Sequence, residues 1–333
     1  MRIHRLGIDI PDTQVDGSRR VLVEALEQAQ SLGFTLAELS IPSLNVIMNG
    51  ELVSQRVDAI QQAIAPFDLR YSVHAPGRTN LAFRPNPDLE YRVLEACVGF
   101  CGAIGAEVLV YHSGLQALDA ARTGLAPLPS DDELAQGAER EAAALRRLAP
   151  IAADLGVTIG MENGDPHLWE YRVLKEQGKA PDDLAKYHAR MRTAAIVEQI
   201  EAVNHPNIRL TLDLGHLHLA TQALGEDYLQ AISLAAPWVC HLHINDNFGK
   251  LDMGVDYEGY RLPYGEADLH LPPGWGAIPF AEAFARLREF EGDIVLEIKS
   301  RYRENLDEAL ANTRRILLDN GHELAQGVLE PQR

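Results

Sequence analysis

Short apolar segments alternate regularly along this chain with stretches of helical periodicity. The apolar segments predict strands at 3–10, 35–41, 70–76, 107–113, 157–163, 208–215, 239–245 and 293–299. The helical stretches lie near 18–32, 51–65, 88–104, 130–154, 193–203, 225–235, 279–290 and 304–320. Strands that alternate with helices form a parallel sheet, and eight such units predict a closed (β/α)8 TIM barrel of the α/β class.

The competing architecture is an open, doubly wound sheet. Such a sheet usually carries a Gly-rich turn after its first strand, but the residues IDIPDTQVDG contain no G-x-G-x-x-G motif. A barrel fills about 250 residues as one domain. No repeat or linker interrupts the order of units, so we predict a single barrel domain over residues 1–333.

Three connections after predicted strands are long for a barrel of this kind. They follow strands 4, 5 and 7 and cover 114–129, 164–192 and 246–278. Barrel enzymes build their sites from the loops at this end, so we predict 164–192 and 246–278 to be active-site lid insertions. Their aromatic residues suit either simple loop packing or stacking on a substrate larger than a triose: Trp169, Tyr171, Tyr257, Tyr260, Tyr264 and Trp275.

Polar residues recur near the ends of the predicted strands. Side chains alternate along a strand, so positions of one parity face the barrel interior. In strands 3 to 8 that parity carries His74, His112, Glu162, Asp213, His243 and Glu297. Carboxylates clustered in a barrel are costly without a counter-charge, and a divalent cation with carboxylate and imidazole ligands removes that cost. Asp9 and Glu38 share the parity in strands 1 and 2, where they line the pocket or solvate strand ends.

Four motifs in this order resemble the sugar phosphate isomerase/epimerase superfamily. They are MEN at 161–163, LDLGH at 212–216, HLHIND at 241–246 and LEIK at 296–299. Members of this superfamily have xylose isomerase-like TIM barrels, and it includes apurinic endonucleases of the endonuclease-four type. The resemblance spans roughly residues 3–320.

In the epimerase branch, the resemblance implies one divalent ion with two glutamates as proton donor and acceptor. The implied ligands are Glu162, Asp213, His243 and Glu297, and the implied catalytic pair is Glu162 and Glu297. His216, three residues after the aspartate, would bind a substrate oxygen. The further candidate substrate contacts are His74, His112, Lys299 and Trp275, although Lys299 could instead pair with a neighbouring acid.

In the endonuclease branch, the resemblance implies additional metal ligands. The matching positions are His74, His112, His216, Asp268 and His270. The chain therefore contains every ligand type of a trinuclear zinc site. The alternative for Asp268 and His270 is a polar pair in a loop.

The predicted activity is that of a sugar, polyol or keto-sugar isomerase or epimerase. A metal-stabilised enediolate would form as Glu162 or Glu297 takes a proton from carbon, and a carboxylate would return the proton. With a leaving group β to the carbanion, the same site becomes a lyase or dehydratase for a keto-sugar, keto-inositol or glycoside.

The alternative from another class is a trinuclear-zinc apurinic endonuclease-like phosphodiesterase. The net charge of −18 opposes binding to a phosphate backbone. Segment 164–192 is the place where a local basic patch could form, from Arg172, Lys175, Lys179, Lys186, Arg190 and Arg192.

The ligand types also bear on the cofactor and the partners. We favour Mn²⁺, with Zn²⁺, Co²⁺ and Mg²⁺ as alternatives, because sites of oxygen and imidazole ligands accept several ions. We expect no organic cofactor, a small sugar or polyol as substrate, and neither nucleic acid nor a membrane as partner; a homo-oligomer is left open. The chain has no membrane-spanning apolar run and no signal-type N-terminus, so we expect a cytoplasmic protein.

Overall fold

The computed structural model describes residues 1–325 except residues 123, 125, 253 and 255–257. Tyr257 and the last eight positions of the predicted domain therefore lie outside the described residues. Barrel strands 1 to 8 are Arg2–Ile10, Leu36–Ser40, Arg70–His74, Val108–His112, Thr158–Glu162, Ile208–Asp213, Val239–Ile244 and Glu291–Leu296. Neighbouring strands pair in parallel, and strand 8 pairs with strand 1, so the sheet closes into the predicted TIM barrel.

Helices follow the strands and surround the barrel. The helices that match the predicted positions are Arg19–Leu32, Ser54–Ile64, Pro87–Ile104, Asp131–Asp154, Thr193–Val203, Tyr228–Ala235, Phe280–Arg286 and Leu306–Asp319. Others lie within the connections: Asp12–Val15, Leu118–Ala121, Leu168–Glu176, Leu184–Tyr187, Leu214–Leu224 and Glu258–Arg261. Short 3-10 turns cover Ile41–Ser43, Pro181–Asp183, Ala189–Met191, Ala236–Trp238, Leu262–Tyr264 and Ser300–Asn305.

Two local features differ from the predicted elements. The predicted helix 51–65 begins at Ser54, because Ile47–Met48 and Glu51–Leu52 form a hairpin around Asn49 and Gly50. Both turn residues have positive φ, as a two-residue Asn-Gly turn requires. The predicted strand 208–215 ends at Asp213, whose side chain accepts a hydrogen bond from the backbone N–H of His216 and starts the helix Leu214–Leu224.

The apolar parity of the barrel strands packs outward against the helices. Ile159, Met161, Leu210, Leu212 and Leu242 are fully buried in one continuous core. The opposite parity therefore faces the interior, as predicted, and carries the polar residues toward the C-terminal mouth. Along the part of the chain that is described, every helix is too short or too polar to cross a membrane.

The connections after strands 4 and 5 pack on each other. Leu118 from the first and Val173, Leu184 and Tyr187 from the second belong to a small apolar cluster of their own. The backbone N–H of Ala117 donates to the carbonyl of Tyr187 at 2.7 Å. These two connections thus form one folded wall beside the barrel mouth.

The connection after strand 7 is held at its base by one carboxylate. Asp246 accepts hydrogen bonds from four backbone N–H groups, those of Asn247, Gly274, Gly276 and Ile278, at 2.8 to 3.2 Å. A Cβ at Gly276 would lie 2.3 Å from Oδ1 of Asp246, so this close approach requires glycine. Both ends of the long connection are therefore fixed to the top of the barrel.

Candidate metal and active site

Three groups of acidic and histidine side chains lie at the mouth of the barrel. In each group the ligand atoms are within 4.8 Å of one another. We call them the His74 cluster (His74, His112, Glu162), the central cluster (Glu162, Asp213, His243, Glu297) and the Asp268 cluster (His216, Asp268, His270). Glu162 belongs to the first two clusters, and Nδ1 of His216 from the third lies 3.5 Å from Oε1 of Glu162, so the three groups form one continuous centre.

The barrel itself positions most of this centre. His74, His112, Glu162 and Asp213 are the last residues of strands 3, 4, 5 and 6. His243 lies one residue before the end of strand 7, and Glu297 follows strand 8 directly. Because the carboxyl ends of parallel strands meet at one rim, these six side chains converge although they are far apart in sequence. His216, Asp268 and His270 reach the centre from the connections after strands 6 and 7.

Four histidines have one ring nitrogen held from behind by a backbone carbonyl. The Nδ1–carbonyl distances are 2.7 Å for His74, 3.1 Å for His112, 3.1 Å for His216 and 2.8 Å for His270. With the proton on Nδ1, the lone pair of Nε2 points toward a carboxylate of the centre. Metal-binding histidines are usually oriented in this way.

The Nε2 atoms face the carboxylates of the clusters. Nε2 of His112 lies 2.9 Å and Nε2 of His74 lies 3.4 Å from Oε2 of Glu162. Nε2 of His216 is 3.8 Å from Oδ2 of Asp268, and His270 contacts the same oxygen. The donor atoms thus surround common points rather than pairing one to one.

Three buried carboxylate oxygens of the centre accept no hydrogen bond, which shows whether a cation would fit there. Oε2 of Glu162, Oδ1 of Asp268 and Oε2 of Glu297 are such atoms. Buried polar atoms normally have partners, and carboxylate oxygens beside imidazoles form the ligand set that divalent cations prefer. The residues present therefore fit metal ions in all three clusters.

The charges of the centre favour bound positive charge. Burial opposes the charged form of His74, but the negative charge of the adjacent Glu162 outweighs it and raises the pKa of His74 to about 10. Burial likewise opposes the charge of His270, but Asp268 raises its pKa to about 9. Burial raises the pKa of Asp213 to about 7. Because metal ligands bind in their deprotonated forms, metal binding here would release protons.

His243 is oriented in the opposite way, by a carboxylate below it. Its Nε2 lies 2.9 Å from Oε1 of Glu38, which leaves Nδ1 facing Glu162 at 3.1 Å and Glu297 at 3.6 Å. Glu38 also accepts a hydrogen bond from Ser72 and contacts His241, and it is fully buried. The sequence left Glu38 as a pocket or strand-end residue, whereas the structure makes it a support for a candidate metal ligand.

Substitution of Glu38 is expected to weaken metal binding without removing a ligand. In Glu38→Gln the carboxylate that fixes the ring of His243 is lost, and such supporting groups usually change metal affinity by about 10- to 100-fold. Chelator competition would measure the dissociation constant, with the exposed Glu27→Gln as control. Equal affinity in Glu38→Gln and the wild type would contradict this role.

A polar cavity of about 420 Å³ opens above the centre. His74, His112, His216, Asp268, His270 and Glu297 line it. Glu162, Asp213 and His243 are fully buried and lie outside its wall. Of the catalytic pair predicted from the sequence, Glu297 is therefore the one that borders the cavity.

Several loop residues line the same cavity, and the sequence did not single them out for this site. Arg78, Arg122, Asp165 and Arg190 belong to this wall. Asp9 of strand 1, which side-chain parity did offer as a pocket residue, lines the cavity too. Arg190 occurs in the segment noted for a local basic patch, which was the signal available in the sequence. Side-chain parity cannot place such residues, because they lie in connections rather than strands.

Two predicted substrate contacts lie away from the cavity. The ammonium group of Lys299 donates to the backbone carbonyl of Asp268, and Nε1 of Trp275 donates to Glu308 at 2.8 Å. The ring of Trp275 packs against Tyr302. Both residues support the connection after strand 7 and neither lines the cavity, so their contact with substrate stays a prediction.

The loop aromatics are divided in the same way. Trp169 lines the cavity, whereas Tyr260 and Tyr264 are 66% and 64% exposed and do not line it. Of these three aromatic residues, Trp169 is therefore the one that borders the cavity.

Comparison with known proteins agrees with the fold. The xylose isomerase-like TIM barrel family matches residues 26–318, and the chain belongs to this family. An uncharacterized protein of Methanocaldococcus jannaschii is 25% identical over 157 residues, which are 47% of this chain and 41% of that protein. The match thus spans less than half the length of that relative.

Solved structures show the same barrel at low sequence identity. A D-psicose 3-epimerase crystallised with D-fructose is 15% identical, with a TM-score of 0.65 over 94% of this chain and 99% of that one. The 3-keto-D-glucoside 4-epimerase of E. coli is 16% identical, with a TM-score of 0.62 over 94% and 99%. An IolI protein with a bound zinc atom is 16% identical, with a TM-score of 0.61 over 95% and 97%. The predicted superfamily resemblance is confirmed at the level of family and fold.

Proposed function

We propose that this protein is a divalent-metal-dependent isomerase or epimerase of keto-sugars or polyols, acting by proton transfer at carbon. The observation that carries the proposal is the convergence of two carboxylates on one candidate ligand. Glu162 lies 3.1 Å and Glu297 lies 3.6 Å from Nδ1 of His243, and Glu297 also lines the cavity. The names of the fold relatives, which include two sugar epimerases, support this reaction class.

The central cluster supplies the ligands in this proposal. A divalent ion held by Glu162, Asp213, His243 and Glu297 would polarise the substrate carbonyl and so acidify the neighbouring C–H bond. Asn245 donates to Oδ2 of Asp213 at 3.1 Å and fixes that carboxylate. The ligands are thus pre-organised by groups behind them.

The two glutamates have different access to the substrate. Glu297 lines the cavity, so we assign to it the removal of the proton from carbon. Glu162 is fully buried beneath the cavity and is not part of its wall. Both of its oxygens lie near imidazoles, and in this proposal it would hold the ion and return the proton on the side of the substrate nearest the barrel. His74 and His216 line the cavity beside them and would bind substrate oxygens.

The cavity fits a polyhydroxylated molecule of modest size. Its volume of about 420 Å³ lies within the range of about 300–1,000 Å³ typical of small-molecule sites. Its wall contains the amide side chains of Asn80, Gln116 and Asn163 as well as charged groups. The three amides are already hydrogen-bonded to protein atoms, so the histidines and charged groups of the wall would bind the hydroxyls. Trp169 offers one apolar face for stacking.

Exchange of substrate hydrogen with solvent is the expected sign of this reaction. Candidate keto-hexoses, their phosphates and a 3-keto-glucoside would be incubated with metal-loaded protein in deuterated water. We expect deuterium at the carbon beside the carbonyl, detected by NMR, because a carboxylate that holds the proton can exchange it with solvent. Turnover of a true substrate without deuterium, once internal return is excluded, would indicate a hydride shift or hydrolysis instead.

Elimination by the same residues is distinguished by its products. A lyase or dehydratase acting on a keto-sugar, keto-inositol or glycoside would release a leaving group in the same experiment.

The proposal also includes Mn²⁺ as the favoured ion and the cytoplasm as the location, and it leaves the oligomeric state open.

A second candidate function is phosphodiester hydrolysis, and the Asp268 cluster is the observation that favours it. His216, Asp268 and His270 lie together, so all the positions matched to a trinuclear zinc site converge. The net charge of −18 opposes DNA binding. We therefore rank hydrolysis second.

An abasic oligonucleotide assay separates the two candidates. With Zn²⁺ or Mn²⁺ supplied at low salt, we expect no efficient incision, because the charge disfavours contact with the phosphate backbone. Asp268→Ala, which removes a ligand of the third cluster, is the matched variant. Efficient incision by the wild type that is lost in Asp268→Ala would place the endonuclease function first.

A further inference from the structure

Three arginines share the cavity with the candidate metal centre. Arg78, Arg122 and Arg190 line its wall. Among the described residues, no carboxylate lies within the 4.0 Å salt-bridge distance of any of the three. Carboxylates also line this cavity outside the metal clusters: Asp9, Asp12, Asp119 and Asp165. Guanidinium groups without an acidic partner, in a protein of net charge −18, require a specific explanation.

Arg190 is held by a buried pair of residues that the metal centre does not use. Its Nε donates to Nε2 of His188 at 2.9 Å, and Nδ1 of His188 lies 2.8 Å from Oε1 of Glu170. His188 and Glu170 are both fully buried. Glu170 is itself fixed by Gln116 at 3.0 Å and by the backbone N–H of His167 at 2.8 Å.

The pair fixes the protonation of the histidine. Burial lowers the pKa of His188, so the ring is neutral. With the proton on Nδ1 toward Glu170, Nε2 accepts the hydrogen bond from Arg190. A buried carboxylate and a buried imidazole are costly to place, and here their combined effect is to orient one guanidinium group.

The backbone of Arg190 is equally constrained. Its N–H donates to the carbonyl of Leu115 at 3.2 Å, and its carbonyl accepts from Gly164 at 3.1 Å. A Cβ at Gly164 would lie 2.6 Å from Nε of Arg190, so the guanidinium packs directly on this glycine. The described chain supplies no hydrogen-bond acceptor to Nη1 or Nη2 of Arg190, which remain available on the cavity wall.

We propose that Arg190 binds an anionic oxygen group of the substrate, either a phosphate monoester or a carboxylate. The fork of Nη1 and Nη2 matches two oxygens of such a group. Arg122, whose guanidinium lies 4.6 Å above the ring of Trp169, and Arg78 add positive charge to the same wall. Glu170 and His188 are positioning residues for Arg190. The proposal deepens the proposed function by naming the substrate class as acidic sugars.

Inorganic phosphate is the probe for this site. Its dissociation constant would be measured by calorimetry on the metal-loaded protein and on variants with the same metal content. Arg190→Gln should weaken phosphate binding at least about tenfold, because a charge-assisted bidentate contact is lost. Arg172→Gln, from the same connection but 62% exposed and near Glu176, should bind phosphate as the wild type does.

Two substitutions of His188 separate positioning from general stability. His188→Gln keeps an acceptor for Arg190 and should stay within about threefold of the wild-type phosphate affinity, whereas His188→Leu should lose as much as Arg190→Gln. Unchanged phosphate affinity in Arg190→Gln, or equal losses in Arg190→Gln and Arg172→Gln, would overturn the proposal.

Competition then identifies the source of the anionic group. D-fructose 6-phosphate and D-glucuronate represent the phosphate and carboxylate sources, and the one whose affinity falls in Arg190→Gln is the class bound. D-fructose, which is neutral, should bind equally to both proteins. These are binding measurements, so they remain informative if the deuterium experiment fails and the proposed reaction is wrong.

Discussion

Glu297→Gln is expected to lower turnover of a confirmed substrate by at least about a hundredfold. General-base groups contribute about a hundred- to ten-thousand-fold, and glutamine keeps the size and one oxygen ligand of Glu297 but cannot accept the proton. Turnover would be followed by NMR and metal content by elemental analysis. Glu282→Gln, an exposed change on the helix Phe280–Arg286, is the matched control.

The result is decisive only when the metal is retained. A variant with full metal content and the wild-type rate would remove Glu297 from the chemistry. A variant that loses both metal and activity would show that Glu297 acts as a ligand, and the deuterium exchange of the remaining active fraction would then decide its role.

Glu162→Ala should remove more metal than any other single substitution in the centre. Oε2 of Glu162 faces His74 and His112, and Oε1 faces His243, so one carboxylate serves two clusters. We expect a loss of about two metal equivalents per chain, against about one for Asp268→Ala, because binding fails where a shared ligand is missing. Native mass spectrometry and elemental analysis would count the ions.

The opposite pattern has a clear meaning. One equivalent in the wild type that is unaffected by Asp268→Ala would restrict metal binding to the central cluster. That outcome would favour the epimerase branch of the superfamily over the trinuclear branch, and it would leave His216, Asp268 and His270 as substrate contacts.

The barrel and the strand-borne part of the centre could be predicted from the sequence because both depend on local periodicity. Alternation along a strand assigns Glu162 and Asp213 to the interior without knowledge of any other strand. Closure of the barrel then brings His243 and Glu297 beside them. The prediction needed no side-chain detail, only the rule that parallel strands end at one rim.

Residues in the connections could not be predicted in this way. Lys299 lies after the end of strand 8, and Trp275 lies just before the helix Phe280–Arg286. No strand alternation determines the direction of these side chains. Both contact the connection after strand 7, and neither lines the cavity. The Glu170–His188–Arg190 arrangement likewise depends on how two connections pack on each other. The helix Leu214–Leu224 was not predicted, because Asp213 is both the last residue of its strand and the N-cap of this helix.

The way in which Asp246 ties the base of its connection has a consequence for divergence and engineering. The backbone N–H of Ala267 also donates to the carbonyl of Lys250 at 2.8 Å, so the connection is closed at a second point. The stretch between Lys250 and Ala267 can therefore change in length or composition while Asp268 and His270 keep their places. No described residue between Lys250 and Ala267 lines the cavity, so insertion or grafting in this stretch would change the outer surface of the protein and leave the wall of the cavity unaltered.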